Sequence, residues 1–249
     1  MKQIFYILIT LFSTIGFAQN QTLFEQGNKL YNDGKYAEAI EKYKAILETN
    51  HHSEALYFNL ANAHYKLNHI APSIYYYEKA LQLAPDDKDI KNNLAFAKNM
   101  TIDAVDAVPD AGFSKLLKKV TNIMDFDSWA KLAVVSVIMF VLIFLWYYFT
   151  YSTTKKRLAF IASNAFLFLA AISLVIAFHK YNVDKKDKPA IVFAQETVIK
   201  SEPNNRSQEL FRLHEGTKVQ ILDTVSHWKE IKLSDGKTGW IENEDIKEL

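Results

Sequence analysis

The sequence predicts a multidomain protein that combines an all-α repeat solenoid, a two-helix transmembrane hairpin and a small all-β barrel. Three observations lead to this fold class. An internal repeat occupies the first part of the chain, two uncharged apolar runs follow it, and the last part has the two-residue alternation of strands. The 249 residues leave room for two or three small domains.

The internal repeat appears when residues 27–47 are aligned with residues 61–81. Identical pairs include Asn28 with Asn62, Tyr31 with Tyr65, Ile40 with Ile74, Tyr43 with Tyr77 and Leu47 with Leu81. This period and pattern resemble the tetratricopeptide repeat, a helix–turn–helix unit that buries its apolar face only by stacking on its neighbours. We predict a repeat domain over residues 20–100, with repeats at 20–53 and 54–87 and a capping helix at 88–100.

In such arrays the first helix of each unit lines a concave surface that suits another polypeptide. By repeat position, this candidate peptide groove consists of Phe24, Asn28, Tyr31, Phe58, Asn62, Tyr65 and Lys66. An asparagine amide can bond the backbone of an extended peptide. The alternatives are that asparagine merely suits this repeat position and that the aromatic rings only pack. Because a stable array usually needs about three units, we expect this short one to lean on a partner or on the membrane-proximal segment.

Three apolar runs indicate export and membrane insertion. Residues 1–18 have the basic start, apolar core and small final residues of a cleaved signal peptide, although an uncleaved anchor gives the same topology. Residues 130–151 and 158–178 each have about the length that a helix needs to cross a ~30 Å hydrocarbon layer. The alternative, a pair of buried core helices, requires a larger soluble domain than the flanking segments supply.

Basic residues predict the orientation of the hairpin. The loop at residues 152–157 contains Lys155, Lys156 and Arg157, and basic residues in short loops prefer the cytoplasm. We therefore expect a membrane protein with two spans and both soluble domains outside the cytoplasm. Lysines also flank the outer ends of both spans, so the exported start carries more weight in this prediction. Residues 101–128 are predicted to be a linker with an amphipathic segment, which lies at the membrane boundary or is an ordinary solvated connector.

The region from residue 189 to residue 249 predicts five short strands separated by turns, and Asp235-Gly236 is a strong hairpin signal. The order of Leu213–Thr217, Trp228 and Gly239-Trp240 resembles a bacterial SH3-like domain. Such domains often bind peptides or cell-wall material. The candidate surface residues are Phe211, Trp228 and Trp240. The alternative is that the tryptophans complete a very small core, which we favour for Trp240 and leave open for Trp228.

Nothing in the sequence indicates catalysis. It contains no zinc-protease motif, no nucleophile elbow, no glycine-rich phosphate loop and no cysteine. The formal net charge is only +1, so no global field attracts nucleic acid. We therefore expect a protein that is not an enzyme, that binds no cofactor or metal ion, and that has no nucleic-acid partner.

The order of the parts resembles the BatE family of Bacteroides-type aerotolerance proteins over nearly the whole chain. The matching pieces are Lys91–Ala95 at the end of the repeats, Trp129–Leu132 at the start of the first span, and Leu213–Thr217 with Gly239-Trp240. The resemblance implies an inner-membrane subunit beside Bat proteins with von Willebrand-type domains and a MoxR-type ATPase on the cytoplasmic side, in tolerance of oxygen or envelope stress. It implies no specific site residues. Our principal hypothesis is an envelope scaffold that docks partner proteins and contacts the lipid bilayer, and the alternative is a peptidoglycan-binding sensor.

Overall fold

The computed structural model describes residues 19–103, 105 and 112–249, so the predicted signal peptide at residues 1–18 lies outside the described residues. The chain divides into two compact units. The first unit joins the residues before position 108 to Lys188–Leu249, and the second is Val108–Asp187. The first unit therefore contains both the repeat domain and the C-terminal module, although the whole second unit separates them in sequence.

The repeat domain is built from helices that alternate in the order expected for two repeats and a cap. Within the described residues these helices are α1 at 19–32, α2 at Tyr36–Leu47, α3 at Glu54–Lys66, α4 at Ile70–Leu83 and α5 at Lys88–Lys98. The offset that aligns the two repeats relates α1 to α3 and α2 to α4. The all-α repeat solenoid predicted from the sequence is thus confirmed as a helical array.

Local chemistry fixes where these helices start and stop. Ser53 Oγ accepts a hydrogen bond from the third amide of α3 at 3.2 Å, and Asp87 accepts bonds from the second and third amides of α5 at 2.8 and 2.9 Å. Gly34, Asn50 and Asn68 follow helix ends with φ values of 76°, 57° and 57°. Glycine and asparagine tolerate this left-handed conformation, so the turns between helices follow directly from the sequence.

The second unit is a helical hairpin preceded by a short helix. Helix α6 spans Gly112–Thr121, α7 spans Phe126–Phe149 and α8 spans Thr153–Lys186. Both α7 and α8 are long and apolar enough to cross a membrane by length and composition. The buried residues of the two helices are mostly small, and they are Trp129, Ala133, Ser136, Ala159, Ser163, Ala170, Ser173 and Ala177. Small residues let two helices approach closely in lipid, where larger apolar side chains can face the acyl chains.

The connection between the two long helices is shorter than the sequence indicated. Most of the predicted loop at 152–157 is helical in the structure, because α8 begins at Thr153. Lys155, Lys156 and Arg157 therefore lie in the first turns of α8. The helix also continues past the predicted end at residue 178, to Lys186, since the polar residues that follow the apolar run do not break a helix.

The C-terminal module is an antiparallel sheet of seven strands, two more than predicted. The strands are β1 Pro189–Val192, β2 Glu196–Lys200, β3 Glu209–His214, β4 Lys218–Val225, β5 Trp228–Lys232, β6 Thr238–Glu242 and β7 Ile246–Glu248. Their order in the sheet is β3-β2-β6-β5-β4-β1-β7. All seven strands contribute to one apolar cluster, so the sheet wraps around a single small core. The two unpredicted strands are the short β6 and β7, which follow the Asp235-Gly236 turn.

Candidate functional site

The repeated asparagines on the first helices are held by tyrosines from the second helices. Asn28 Oδ1 on α1 accepts hydrogen bonds from Tyr43 Oη at 2.8 Å and from Asn59 Nδ2 at 2.9 Å. One amide therefore links three consecutive helices. Burial, reinforced by the nearby Tyr31 phenol, raises the pKa of Tyr43 to about 12, so the hydroxyl stays protonated and keeps donating its hydrogen bond.

The second repeat contains the same arrangement at the equivalent positions. Asn62 Oδ1 accepts hydrogen bonds from Tyr77 Oη and, at 3.0 Å, from Asn93 Nδ2. Tyr77 is almost fully buried, and burial raises its pKa in the same way. Each asparagine thus uses its acceptor oxygen to bond neighbouring helices. This agrees with the alternative interpretation, in which asparagine suits this position of the repeat for structural reasons. Within the described part of the chain, these networks do not use Asn28 Nδ2 or Asn62 Nδ2 as donors.

The aromatic residues of the candidate groove are half-buried and pack against the second helices. The ring centroid of Phe24 lies 6.0 Å from that of Tyr43, and Phe58 lies 6.0 Å from Tyr77. Tyr31 and Tyr65 are also half-buried, whereas Lys66 is exposed. These rings therefore support the array and still present part of their surface to solvent. The structure therefore supports the packing interpretation of these aromatic positions, and the ligand-binding interpretation stays a prediction.

The repeat period identifies groove residues that the sequence analysis missed. Asn59 and Asn93 are one repeat apart and complete the two amide–phenol networks. Phe96, which is one repeat after Asn62, lies on α5 with 60% of its surface exposed. Extending the alignment past residue 81 into the capping helix would have found all three positions. With Lys66, Phe96 gives the first-helix face an exposed cation and an exposed aromatic ring.

The candidate surface of the C-terminal module differs from the prediction. Trp228 is only 3% exposed, so it is not available on a surface, and Phe211 and Trp240 are half-buried. Trp240, for which we favoured the core role, is thus the more exposed of the two tryptophans. Its neighbours on the adjacent strands are Lys200 of β2 and Glu230 of β5. The polar neighbours of Trp228 were misleading because one of them, Lys229, is itself buried and bonds Glu248.

Gly239, which precedes Trp240, allows two strands to approach closely. A Cβ atom at this position would overlap Ile199 Cγ2 and would lie 3.1 Å from the carbonyl oxygen of Lys200. Any side chain would therefore push β6 away from β2. The glycine therefore places Trp240 against β2, where it pairs with Lys200.

A buried carboxylate joins the repeat domain to the barrel. Glu78 on α4 is 8% exposed and accepts hydrogen bonds from Lys98 Nζ at 3.0 Å and Lys218 Nζ at 2.7 Å. Burial acts to raise the pKa of Glu78, but the two ammonium groups outweigh it and hold the pKa below its usual value of 4.5. Lys98 belongs to α5 and Lys218 to β4, so the carboxylate ties the array to the sheet.

A second carboxylate at the end of the repeat domain binds a turn of the barrel. Asp103 Oδ2 accepts hydrogen bonds from the amide of His214 at 2.7 Å and from Thr217 Oγ1 at 2.6 Å. Asp103 Oδ1 lies 2.8 Å from His214 Nδ1. Partial burial acts to raise the pKa of Asp103, and the hydrogen bonds from Thr217 and His214 lower it below its usual value. The carboxylate therefore stays ionised and fixes the β3–β4 turn.

Apolar contacts complete this connection. Ile191 of β1 is fully buried in the same cluster as Ile74 and Ile90 of the repeat domain. The ring of Tyr75 meets Phe193 edge to face at 5.7 Å, and Lys247 Nζ lies 4.5 Å from the Tyr75 centroid. We expected the array to lean on a partner or on the membrane-proximal segment, and in the structure α4 instead packs on the C-terminal module.

Two family models match the chain in the regions just described. The model for the tetratricopeptide repeat matches residues 54–87, which contain α3 and α4, and the model for the bacterial SH3 domain matches residues 197–247. No curated protein matches the chain significantly. The fold therefore combines a tetratricopeptide-repeat array with an SH3-like barrel. The amide–phenol networks thus belong to a repeat array, and the half-buried Trp240 belongs to an SH3 domain.

The described residues contain no group of three or more histidine, cysteine, aspartate or glutamate side chains that could hold a metal ion. Two histidines of the repeat array do approach each other, with 3.1 Å between His64 Nδ1 and His69 Nδ1. Burial, with the nearby His69 and Lys44, lowers the pKa of His64 to about 3, so this imidazole stays neutral at ordinary pH. It stacks on Tyr76 at 5.6 Å and acts as a packing residue.

Proposed function

We propose that the protein is a membrane-anchored scaffold of the bacterial envelope that docks partner proteins through its tetratricopeptide-repeat groove and its SH3 domain. The observation that carries this proposal is the contact between the two soluble modules. Glu78 and Asp103 precede both long apolar helices, whereas Lys218 and His214 follow them. Residues that bond each other directly must lie on one side of a membrane. This agrees with two membrane spans, α7 and α8, between the two modules in the sequence.

The surface of the hairpin supports insertion in lipid. Large apolar side chains such as Val134, Val141 and Phe168 are exposed along α7 and α8, whereas the small residues are buried. Exposure of such an apolar surface to water is unfavourable, whereas its contact with the hydrocarbon layer of a membrane is not. The basic start of α8 favours placing the connection between the helices in the cytoplasm. Both soluble modules are then periplasmic in an inner-membrane protein.

More specifically, we propose that the protein is a subunit of a Bat-type aerotolerance or stress complex. The order of repeats, hairpin and SH3 domain supports it, because this order matches the BatE resemblance along the chain. In this proposal the partners are Bat proteins with von Willebrand-type domains, and a MoxR-type ATPase acts indirectly from the cytoplasm. Crosslinking in intact cells followed by identification of the captured neighbours tests it, and capture of unrelated proteins alone contradicts it.

The groove test uses residues that are exposed and lie outside the amide–phenol networks. Lys66→Glu combined with Phe96→Ser should lower recovery of the crosslinked partners at least several-fold, since it removes the exposed cation and the exposed ring. Glu41→Lys, a charge reversal on the second helix α2, is the matched control and should leave recovery unchanged. Equal recovery with both variants would show that the first-helix face is not the docking surface.

A second candidate function is binding of peptidoglycan by the SH3 domain. The match to the bacterial SH3 model and the half-buried Trp240 beside Lys200 and Glu230 favour it. The full-length protein in detergent should then sediment with purified cell wall, and Trp240→Ala should abolish most of this retention. Lys232→Ala, on an exposed position of β5, serves as control. If the wild-type protein stays in the supernatant, binding of peptidoglycan is rejected. Docking of partner proteins is then the proposal that stands.

A further inference from the structure

Helix α6 has two chemically distinct faces. Its exposed apolar side chains, with Ile123 in the turn that follows, recur at helical spacing and are Leu116, Leu117, Val120 and Ile123. The lysines lie on the opposite side and are Lys115, Lys118 and Lys119. Leu116 is 58% exposed and Ile123 66%, whereas Leu117 and Val120 are 36% and 37% exposed, so the described residues cover this apolar face only in part. A short helix with one apolar and one basic face is typical of segments that lie in a membrane interface.

The end of α6 is fixed to the start of the hairpin. The Trp129 indole Nε1 donates a hydrogen bond to the carbonyl oxygen of Thr121 at 3.3 Å, and Thr121 is buried. Lys180 Nζ of α8 donates to Asn122 Oδ1 at 3.0 Å. These bonds hold α6 at the level where α7 begins and where the apolar run of α8 ends. The helix is therefore positioned by the hairpin and is not a free connector.

This level has the residue types of a membrane–water boundary. Trp129 and the Phe126–Tyr181 pair, with ring centroids 5.7 Å apart, lie at this end, and Trp146 lies near the other end of α7. The spacing of the two tryptophans in the sequence corresponds to about 26 Å along a helix. That distance is close to the thickness of a hydrocarbon layer, with aromatic residues at both borders. The apolar face of α6 then continues the lipid-facing surface of the hairpin.

We propose that α6 is an interfacial anchor that binds anionic phospholipid in the leaflet where α7 begins. Its leucines and Val120 insert at the boundary between headgroups and acyl chains, and its lysines contact phosphate groups of the lipids. The inference rests on the proposed membrane insertion of α7 and α8. The charge on the basic face selects an anionic bilayer, because each basic residue near such a surface strengthens binding roughly fivefold.

The absence of cysteine makes the test direct, since any introduced cysteine is unique. Leu116→Cys is labelled with the polarity-sensitive fluorophore NBD in the full-length protein, which is reconstituted in vesicles of phosphatidylcholine and phosphatidylglycerol. We expect blue-shifted emission and quenching by a spin label attached near the headgroup end of a lipid chain. Lys119→Cys, on the opposite face, should remain in a polar environment and be quenched by aqueous iodide.

The anionic preference is tested by comparing vesicles with and without phosphatidylglycerol. The ratio of lipid to iodide quenching of the label at position 116 should fall several-fold when phosphatidylglycerol is omitted. A combined Lys115→Gln, Lys118→Gln and Lys119→Gln variant should show the lower ratio in both vesicle types. If the ratio is the same with and without anionic lipid, the lysines do not bind phospholipid and this part of the inference is wrong.

A third label separates failure of this inference from failure of the proposed membrane insertion. Val141→Cys, exposed in the middle of α7, should be quenched by a spin label deep in the acyl chains. Loss of that quenching overturns the membrane insertion itself. If the label at position 141 is quenched by lipid but the label at position 116 is reached only by iodide, α6 lies in water. If the label at position 116 is protected from both quenchers, protein covers it, and either result overturns the anchor.

Discussion

At the residue scale, the two repeated asparagines use their acceptor groups to join the helices of the array. The carbonyl oxygens of Asn28 and Asn62 accept hydrogen bonds from the tyrosines and asparagines of neighbouring helices. In the proposed groove, the amide NH₂ group of each asparagine is the donor that would bond a peptide carbonyl. A variant at either asparagine therefore changes stability as well as binding, and a loss of binding in such a variant is not a clean test of the groove.

Asn62→Ala should destabilise the repeat domain by about 1–3 kcal/mol, because it leaves the buried Tyr77 hydroxyl without its acceptor. Denaturant unfolding of the full-length protein in detergent, followed by circular dichroism, measures the change. Asn92→Ala, an exposed asparagine on α5, is the control and should have little effect. Identical midpoints for wild type and Asn62→Ala would show that the network contributes nothing to stability.

The buried Glu78 makes the contact between repeats and SH3 domain sensitive to acid. Its folded-state pKa is below 4.5, so the contact gains its full contribution above that pH and loses it as pH falls through the folded-state pKa. At pH 7, Glu78→Gln should lower the free energy of unfolding by about 1–3 kcal/mol, since the ammonium partners are partly exposed. The difference between wild type and variant should shrink as the pH is lowered to 3.

Glu41→Gln provides the reference for this comparison, because Glu41 is exposed on α2. Its unfolding should follow the wild type at every pH. A Glu78→Gln variant that remains less stable than the wild type by a constant amount from pH 7 to pH 3 would show that ionisation of Glu78 does not contribute to the contact.

At the element scale, the repeat helices and the apolar spans were predictable because their signals are local. Periodic apolar and small residues, together with Ser53 and Asp87 at helix starts, encode a helical array directly. The end of α8 and the strands β6 and β7 were harder to predict. A short strand is specified by its neighbours in the sheet more than by its own sequence, and β7 exists because β1 pairs with it.

The close approach of β2 and β6 predicts that Gly239→Ala destabilises the SH3 domain by about 1–3 kcal/mol. The added Cβ would meet Ile199 and the backbone of Lys200, and backbone cannot rotate away as a flexible side chain can. Thermal unfolding followed by tryptophan fluorescence measures the effect. Thr238→Ala, at an exposed position of the same strand, should unfold near the wild-type temperature. An unchanged unfolding temperature in Gly239→Ala would mean that β2 and β6 move apart enough to accept the Cβ atom without loss of stability.

The contact surfaces of the candidate sites were the least predictable feature. Glu78 and Lys218 lie on opposite sides of the hairpin in the sequence, and no local pattern marks them as partners. The same limitation explains why the core role was left open for Trp228, which is the more buried of the two tryptophans. Polar residues beside Trp228 in the sequence are typical of an exposed position. Lys229, however, bonds Glu248 on β7, and sequence periodicity alone does not reveal this pairing.

At the scale of the whole molecule, the proposed membrane insertion and the bonds between α4 and the SH3 domain together place both soluble modules on one side of the membrane. A periplasm-active phosphatase fused after Leu249 should therefore be active, and so should one fused at residue 125, ahead of α7. The same reporter inserted at residue 152, between the two helices, should be inactive. Activity only at residue 152 would contradict the proposed topology and with it the periplasmic scaffold.

The sharing of one apolar cluster by Ile191 and α4 also constrains how the protein is made. The repeats leave the ribosome first, but the strand that covers them is synthesised only after both hydrophobic helices. At ordinary rates of translation, the chain from Leu83 to Leu249 takes roughly ten to thirty seconds to make. Until the C-terminal module has been synthesised, the face of α4 that packs against Ile191 lacks this covering strand.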